Sequence, residues 1–189
     1  VLSKSRAIDF RVSTLPTMIE ACRRLRDDAP DLQFVVARAP GLADADLAVA
    51  QSAGLPLAIH QGDTDAVLAA SDLVLTASGT ATVQTALHGR PMVIVYRLSP
   101  LTYRLGRPFV KVDTFGMVNL IAGTRIVPEL IQDDFTAERL HAEARRFLTD
   151  PAYADEVRRQ LGEVVRALGG PGASDRAAAA VLDVAGAEV

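Results

Sequence analysis

The chain has 189 residues and a mass of 20.1 kDa, and 49% of its residues are hydrophobic, enough for one domain with a substantial core. A net charge of −3 leaves no basic excess to neutralise phosphates, which argues against a general nucleic-acid binder. No apolar run reaches the ~18 residues that span a bilayer, and no signal peptide is visible.

In chain order, Val1-Leu2 is followed at once by a polar turn, which reads as the end of a strand whose beginning is cut away. A fragment or a single domain of a larger protein is therefore expected. Leu15, Met18, Ile19, Cys22 and Leu25 recur at three- and four-residue spacing, so Val12 to Arg26 is an amphipathic helix. Cys22, the single cysteine, cannot close an internal disulfide and reads as a core thiol; a reducing cytoplasm suits it. Leu32 to Ala37 is a buried strand, Asp44 to Gln51 a short helix, Leu57 to His60 a strand and Thr64 to Ala70 a helix. Asp72 to Thr76 is a further strand, Ser78 to His88 a turn and helix, and Met92 to Tyr96 a strand. Apolar strands alternating with helices indicate an α/β fold with a doubly wound parallel sheet.

After Arg97 the pattern changes. Pro100 to Val110 reads as helical, Asp113 to Arg125 as loop, and Ile126 to Ile131 as a short strand or turn. Thr136 to Leu148, Ala152 to Leu168 and Ser174 to Ala185 are helices separated by Asp150-Pro151 and by Gly169-Gly170-Pro171-Gly172. The expected organisation is a Rossmann-like domain over 1–134 and a helical carboxyl-terminal part over 135–189 that packs on it.

The most informative stretch is Ser71 to Arg97, S-D-L-V-L-T-A-S-G-T-A-T-V-Q-T-A-L-H-G-R-P-M-V-I-V-Y-R. Strand, Ser78-Gly79-Thr80 turn, helix and strand together place free backbone N–H groups at a helix N-terminus beside the carboxyl end of a parallel strand. Such a place favours an anion, usually a phosphate, and makes a nucleotide-sugar site the first hypothesis. Gln84 lies one helical turn beyond Thr80 on the same face, within reach of a ribose hydroxyl, or is simply a solvated glutamine. Ser5-Arg6 follows the first strand remnant; Arg6 is placed to neutralise a diphosphate, or is an ordinary surface arginine. Asn119 and Glu129 occupy the polar, glycine-containing stretch after the sheet, where loops line the cleft of a doubly wound fold.

Other candidates carry less. The triplets Asp44-Ala45-Asp46 and Asp63-Thr64-Asp65 pair carboxylates as a divalent-cation site does, yet both stand where a helix is about to start. His60, His88 and His141 have no metal-ligand spacing, although His60 ends a strand on the expected ligand edge. Arg97, Arg104, Arg107 and Lys111, interleaved with apolar residues, match either an anionic membrane surface or an ordinary solvated face.

Three segments, S-D-L-V-L-T-A-S-G-T-A-T, G-R-P-M-V-I-V-Y-R-L-S-P-L-T-Y and N-L-I-A-G-T-R-I-V-P-E-L-I-Q, resemble lipid-A-disaccharide synthases over essentially the whole chain. The resemblance is to the carboxyl-terminal half of these inverting glycosyltransferases, whose GT-B architecture sets two Rossmann-like domains face to face. It implies transfer of diacylglucosamine from a UDP-linked donor to diacylglucosamine 1-phosphate, giving lipid A disaccharide and UDP, with no metal and no cofactor. It also implies a catalytic role for Arg6 and donor-binding roles for Ser5, Ser78, Gly79, Thr80, Gln84, Asn119 and Glu129.

By the same resemblance the partners are a UDP-sugar donor and a phosphorylated glycolipid acceptor, at the cytoplasmic surface of the inner membrane of a Gram-negative-type bacterium. The acceptor domain would be amino-terminal and missing, so the isolated chain is expected to bind UDP-sugar weakly and not to turn over. Association with that domain or with a second copy would follow. Ser3-Lys4 stands where the family has Pro-Gly, and Gln84 where it has glutamate; both changes bear on donor affinity. The alternatives are a UDP-N-acetylglucosamine 2-epimerase-like enzyme and a non-catalytic nucleotide-sugar-binding module.

Overall fold

The computed structural model describes residues 10–38, 42–97, 114–170 and 172–186. Ser5, Arg6, the Val1-Leu2 strand remnant and the expected Pro100–Val110 helix, with Arg104, Arg107 and Lys111, lie outside the described residues.

Helix α1 (Phe10–Asp28) leads into β1 (Phe34–Arg38), a 3-10 turn (Asp44–Leu47) and the short helix α2 (Ala48–Gln51). There follow β2 (Leu57–Gln61), α3 (Thr64–Ala70), β3 (Val74–Ala77), α4 (Thr80–Leu87) and β4 (Met92–Tyr96). After residue 113 come α5 (Met117–Ala122), β5 (Glu129–Ile131), a 3-10 turn (Gln132–Asp134), α6 (Ala137–Thr149), α7 (Pro151–Leu168) and α8 (Ala173–Ala185).

Among the described residues every strand pairing is parallel: β1 with β2, and β3 with β4 with β5. Each crossover runs through a helix, α2 between β1 and β2, α4 between β3 and β4, and α5 between β4 and β5, as parallel strands require. The carboxyl ends of β3, β4 and β5 therefore share one edge. Met92 to Val95 of β4 are all buried, the pattern of a central strand covered on both faces. The paired strands β1 and β2 are more open, and Val35 is half exposed. A cavity of about 540 Å³ lies between the two sheets, lined by α1 residues such as Met18 and Cys22 and by Val35, Leu68 and Val74.

Local chemistry sets the helix ends. Asp63, Thr136 and Asp150 are N-caps whose side chains accept from Ala66, Arg139 and Tyr153 N–H, and Pro151 follows at the first position of α7. The main core joins Val93, Ile94 and Val95 of β4 to Phe135, Leu140 of α6 and Leu161 of α7. α1 packs on α6, and Arg145 and His141 of α6 both reach Asp28 at the end of α1, at 3.1 and 2.8 Å. Arg97, at the end of β4, donates to the Phe135 carbonyl at 2.6 Å with its guanidinium 4.7 Å from the Phe135 ring centroid. That half-buried basic residue is thus tied to the body of the fold rather than free on its surface.

Two sequence expectations change. The stretch read as loop over Asp113 to Arg125 contains helix α5, stopped by Gly123 in the left-handed region at φ 69°. Val118 and Asn119 pack inward from it, a short burial pattern that six residues show too briefly for periodicity to register. In the carboxyl-terminal part, α6 and α7 pack on the body, whereas every described residue of α8 is exposed. Its alanines supply helix propensity, and Val181, Leu182 and Val184 stay exposed along it.

Candidate functional site

β3 ends at Ala77, and the chain turns through Ser78 and Gly79 into α4. Ser78 N–H extends the ladder by donating to Val95 O at 3.2 Å, so the turn is anchored to β4. Gly79 is the N-cap of α4 at φ 142° and ψ −163°, a region that side chains essentially exclude. Its carbonyl receives both Thr82 N–H (3.1 Å) and Thr82 Oγ1 (2.7 Å), which closes the first turn tightly. Being glycine, the N-cap offers no side chain to the first amides of the helix.

One face of α4 is core: Ala81, Thr82, Thr85 and Ala86 are buried. The opposite face holds Thr80 and Gln84, both exposed, with Thr80 at the carboxyl edge of the sheet and Gln84 one turn further along the helix. The structure thus brings together Ser78, Gly79, Thr80 and Gln84. Positive helix-end charge, an uncapped N-terminus and two exposed polar side chains form a place suited to a phosphate bearing a hydroxylated group.

Asn119 and Glu129 lie behind this turn and face inward. Asn119 is 0% exposed and Glu129 6%. Asn119 Oδ1 accepts from Ile126 N–H (2.9 Å) and Val127 N–H (3.0 Å), while Nδ2 donates to Val127 O (3.0 Å) and Glu129 Oε1 (2.6 Å). Two acceptances and two donations use the full capacity of an amide. Glu129 accepts Phe115 N–H at Oε2 (2.8 Å) and Gly116 N–H at Oε1 (2.9 Å). Its charge is thereby met by N–H donors at the entry to α5, where a helix N-terminus favours an anion.

The residues that sequence reasoning passed over are Phe115 and Gly116. Ser78 Oγ donates to Phe115 O at 3.0 Å, linking the β3–α4 turn to the entry of α5. Gly116 is buried, and a Cβ there would lie 2.4 Å from Ile94 Cδ1 and 3.0 Å from Glu129 Oε1. A glycine immediately before an apolar stretch was the available sign, and it signals close approach only once Ile94 and Glu129 are known to face it.

Asp44, Asp46, Asp63, Asp65 and His88 all have structural partners. Asp44 pairs with Arg38 at 2.6 Å, and Asp46 accepts Ala43 N–H at 2.9 Å. Asp63 caps α3, and Asp65 meets His88 Nε2 at 2.8 Å, joining the start of α3 to the end of α4. Among the described residues no three His, Cys, Asp or Glu side chains converge as metal ligands. His60 is exposed at the end of β2, opposite Ala37 in register. Burial pushes the Cys22 thiol up to about 12, in the apolar cavity whose β3 lining ends at Leu75, short of the turn. No described helix is long and apolar enough to cross a membrane.

Solved structures share this fold. One is the calicheamicin glycosyltransferase CalG4, matched with a TM-score of 0.57 at 20% identity over 94% of this chain and 42% of that one. Another is a protein assigned as a UDP-N-acetylglucosamine 2-epimerase from Listeria monocytogenes, with a TM-score of 0.56 at 18% identity over 77% of this chain and 35% of that one. Among curated proteins, the lipid-A-disaccharide synthase of Geobacter sulfurreducens is 43% identical over 175 residues, 92% of this chain and 46% of its own length. That of Anaeromyxobacter dehalogenans strain 2CP-C is 45% identical over 172 residues, 90% of this chain and 45% of its own length. The chain spans about half the length of these curated relatives. The family model described as lipid-A-disaccharide synthetase matches residues 1–184, and the chain belongs to that family.

Proposed function

We propose that this chain is the donor-binding half of a lipid-A-disaccharide synthase. The reaction is transfer of diacylglucosamine from its UDP-linked form to diacylglucosamine 1-phosphate, releasing UDP. The observation that carries the reading is the Gly79 turn. An uncapped helix N-terminus opens at the carboxyl edge of a parallel sheet, in a chain of this family.

In this reading the α4 N-terminus receives the diphosphate of the donor, with Gly79 allowing the backbone to approach. Thr80 and Gln84 offer hydroxyl and amide groups to the nucleotide from the exposed face of α4. Ser5 and Arg6 belong to the same site, Arg6 as the cation that balances charge on the departing UDP. Helix-end amides and a guanidinium aimed at developing negative charge give electrostatic catalysis. The acceptor glycolipid and the base that activates its hydroxyl belong to the part of the family protein that this chain does not cover. The site of action is the cytoplasmic surface of the inner membrane, where a lipid donor and a lipid acceptor meet.

Calorimetric titration of the chain with UDP tests donor binding. Heat that saturates supports it; no heat at millimolar nucleotide overturns it. The second test is disaccharide formation by the chain by itself, which should be absent; turnover would show that the acceptor site and base are already here.

A further inference from the structure

We infer that Glu129 and Asn119 are positioning residues that hold the Phe115–Gly116 peptide against the Ser78 turn, and that they act on a bound phosphate only through that peptide. The inference rests on the reading of the Ser78–Thr80 turn as the phosphate site.

The hydrogen bonds form one continuous chain. Ser78 Oγ donates to Phe115 O (3.0 Å), and Phe115 N–H donates to Glu129 Oε2 (2.8 Å). Gly116 N–H and Asn119 Nδ2 then meet on Glu129 Oε1, at 2.9 and 2.6 Å. Asn119 in turn holds the backbone of Ile126 and Val127, just ahead of β5. The peptide group between β4 and α5 is therefore gripped from two sides, by a hydroxyl on the turn and by a buried carboxylate on β5. Asn119 has no hydrogen-bonding position left for a ligand, and three N–H donors surround Glu129.

The direction of the Ser78 bond matters. Its hydroxyl hydrogen goes to Phe115, so the rotamer of Ser78 and the pitch of the turn depend on where that carbonyl stands. Gly116 makes the grip possible, because a Cβ would drive Ile94 and Glu129 away. A β5 carboxylate that never meets the ligand can thus set the geometry of amides that do. Preorganised amides of this kind lose much of their effect when displaced by about an ångström.

Glu129→Gln keeps the shape but turns one acceptor into a donor, which must then face Phe115 N–H or the pair on Oε1. Ser78→Ala removes the grip from the other side. The test is UDP affinity of the full chain by calorimetric titration for the wild type, each single variant and the double variant. Amide ¹H–¹⁵N spectra of Phe115, Gly116 and Thr80 are recorded alongside.

Each single change is expected to raise the dissociation constant about tenfold, with the double variant no worse than about twofold beyond the weaker single. In Glu129→Gln the Thr80 amide should shift although Thr80 lies outside the substituted network. Fully multiplicative losses, an unmoved Thr80 amide, or affinity unchanged in a folded Glu129→Gln protein would each overturn the positioning role. If the wild-type chain binds no UDP, the phosphate reading fails, and the positioning role fails with it. Wild-type binding with an indifferent Glu129→Gln removes the positioning role and leaves the site.

Discussion

Ser78 Oγ donates to the Phe115 carbonyl oxygen at 3.0 Å, joining two loops 37 positions apart at the carboxyl edge of the sheet. The β3–α4 turn is consequently not an independent local motif. Its conformation depends on Gly79 from within and on Phe115, Gly116 and Glu129 from outside, and these can be tested one at a time.

Gly79→Ala should destabilise the fold by about 1–3 kcal/mol, the usual cost of forcing a side chain into a glycine-only region. Among the described residues nothing lies within 4 Å of the Cβ that alanine would add, so the φ of 142° rather than any clash sets the cost. Chemical denaturation measures the loss, and UDP titration of the folded variant should show weakened binding.

Gly116→Ala tests the opposite limit. Its φ of −75° suits any residue, but the added methyl meets Ile94 Cδ1 at 2.4 Å. A loss of about 1–3 kcal/mol is expected from overpacking. The double variant Gly116→Ala with Ile94→Val should recover part of it in the same urea titration.

Asn119→Asp would set a carboxylate oxygen where Nδ2 now stands, 2.6 Å from Glu129 Oε1. Two buried carboxylates at that range cannot both ionise, so one pKa of the pair rises in the folded state. A group raised on folding favours the native state below its unfolded pKa, and that advantage disappears as pH rises through the folded value. The variant should lose about 3 kcal/mol or more near pH 7 and recover part of it toward pH 5, where the wild type gains nothing comparable. Urea midpoints at the two pH values give the comparison.

Cys22 should resist thiol reagents at pH 8 in the native protein and react on unfolding, because burial pushes its pKa from 9.0 to about 12. The native state keeps the proton while the unfolded chain releases it above about pH 9, so stability falls with pH between those values. The slope approaches about 1.4 kcal/mol per pH unit. Cys22→Ala should flatten that alkaline decline; an equal slope in the variant would assign it to other groups.

Legibility in the sequence followed the range of the interactions. Thr64–Ala70 and Met92–Tyr96 were bounded by residue type and hydropathy, since Asp63 caps the one and Pro91 precedes the other. Ser78-Gly79-Thr80 announced its turn through the need for glycine. Asn119 and Glu129 were singled out as polar residues in a glycine-containing stretch, but polarity says nothing of direction. Their partners Phe115, Gly116, Ile126 and Val127 come from the backbone, which any sequence supplies, so the inward-facing network left no compositional trace.

The chain's own residues therefore determined the alternation of parallel strands and helices, the glycine turn at the end of β3 and the family to which these segments belong. All three depend on local periodicity, backbone freedom and contiguous motifs. Tertiary structure decided that α5 forms, that α8 remains exposed along its length, and that Asn119 and Glu129 grip the Phe115–Gly116 peptide. Those outcomes depend on which distant groups meet in space, where a buried carboxylate must find its N–H donors wherever the fold brings them.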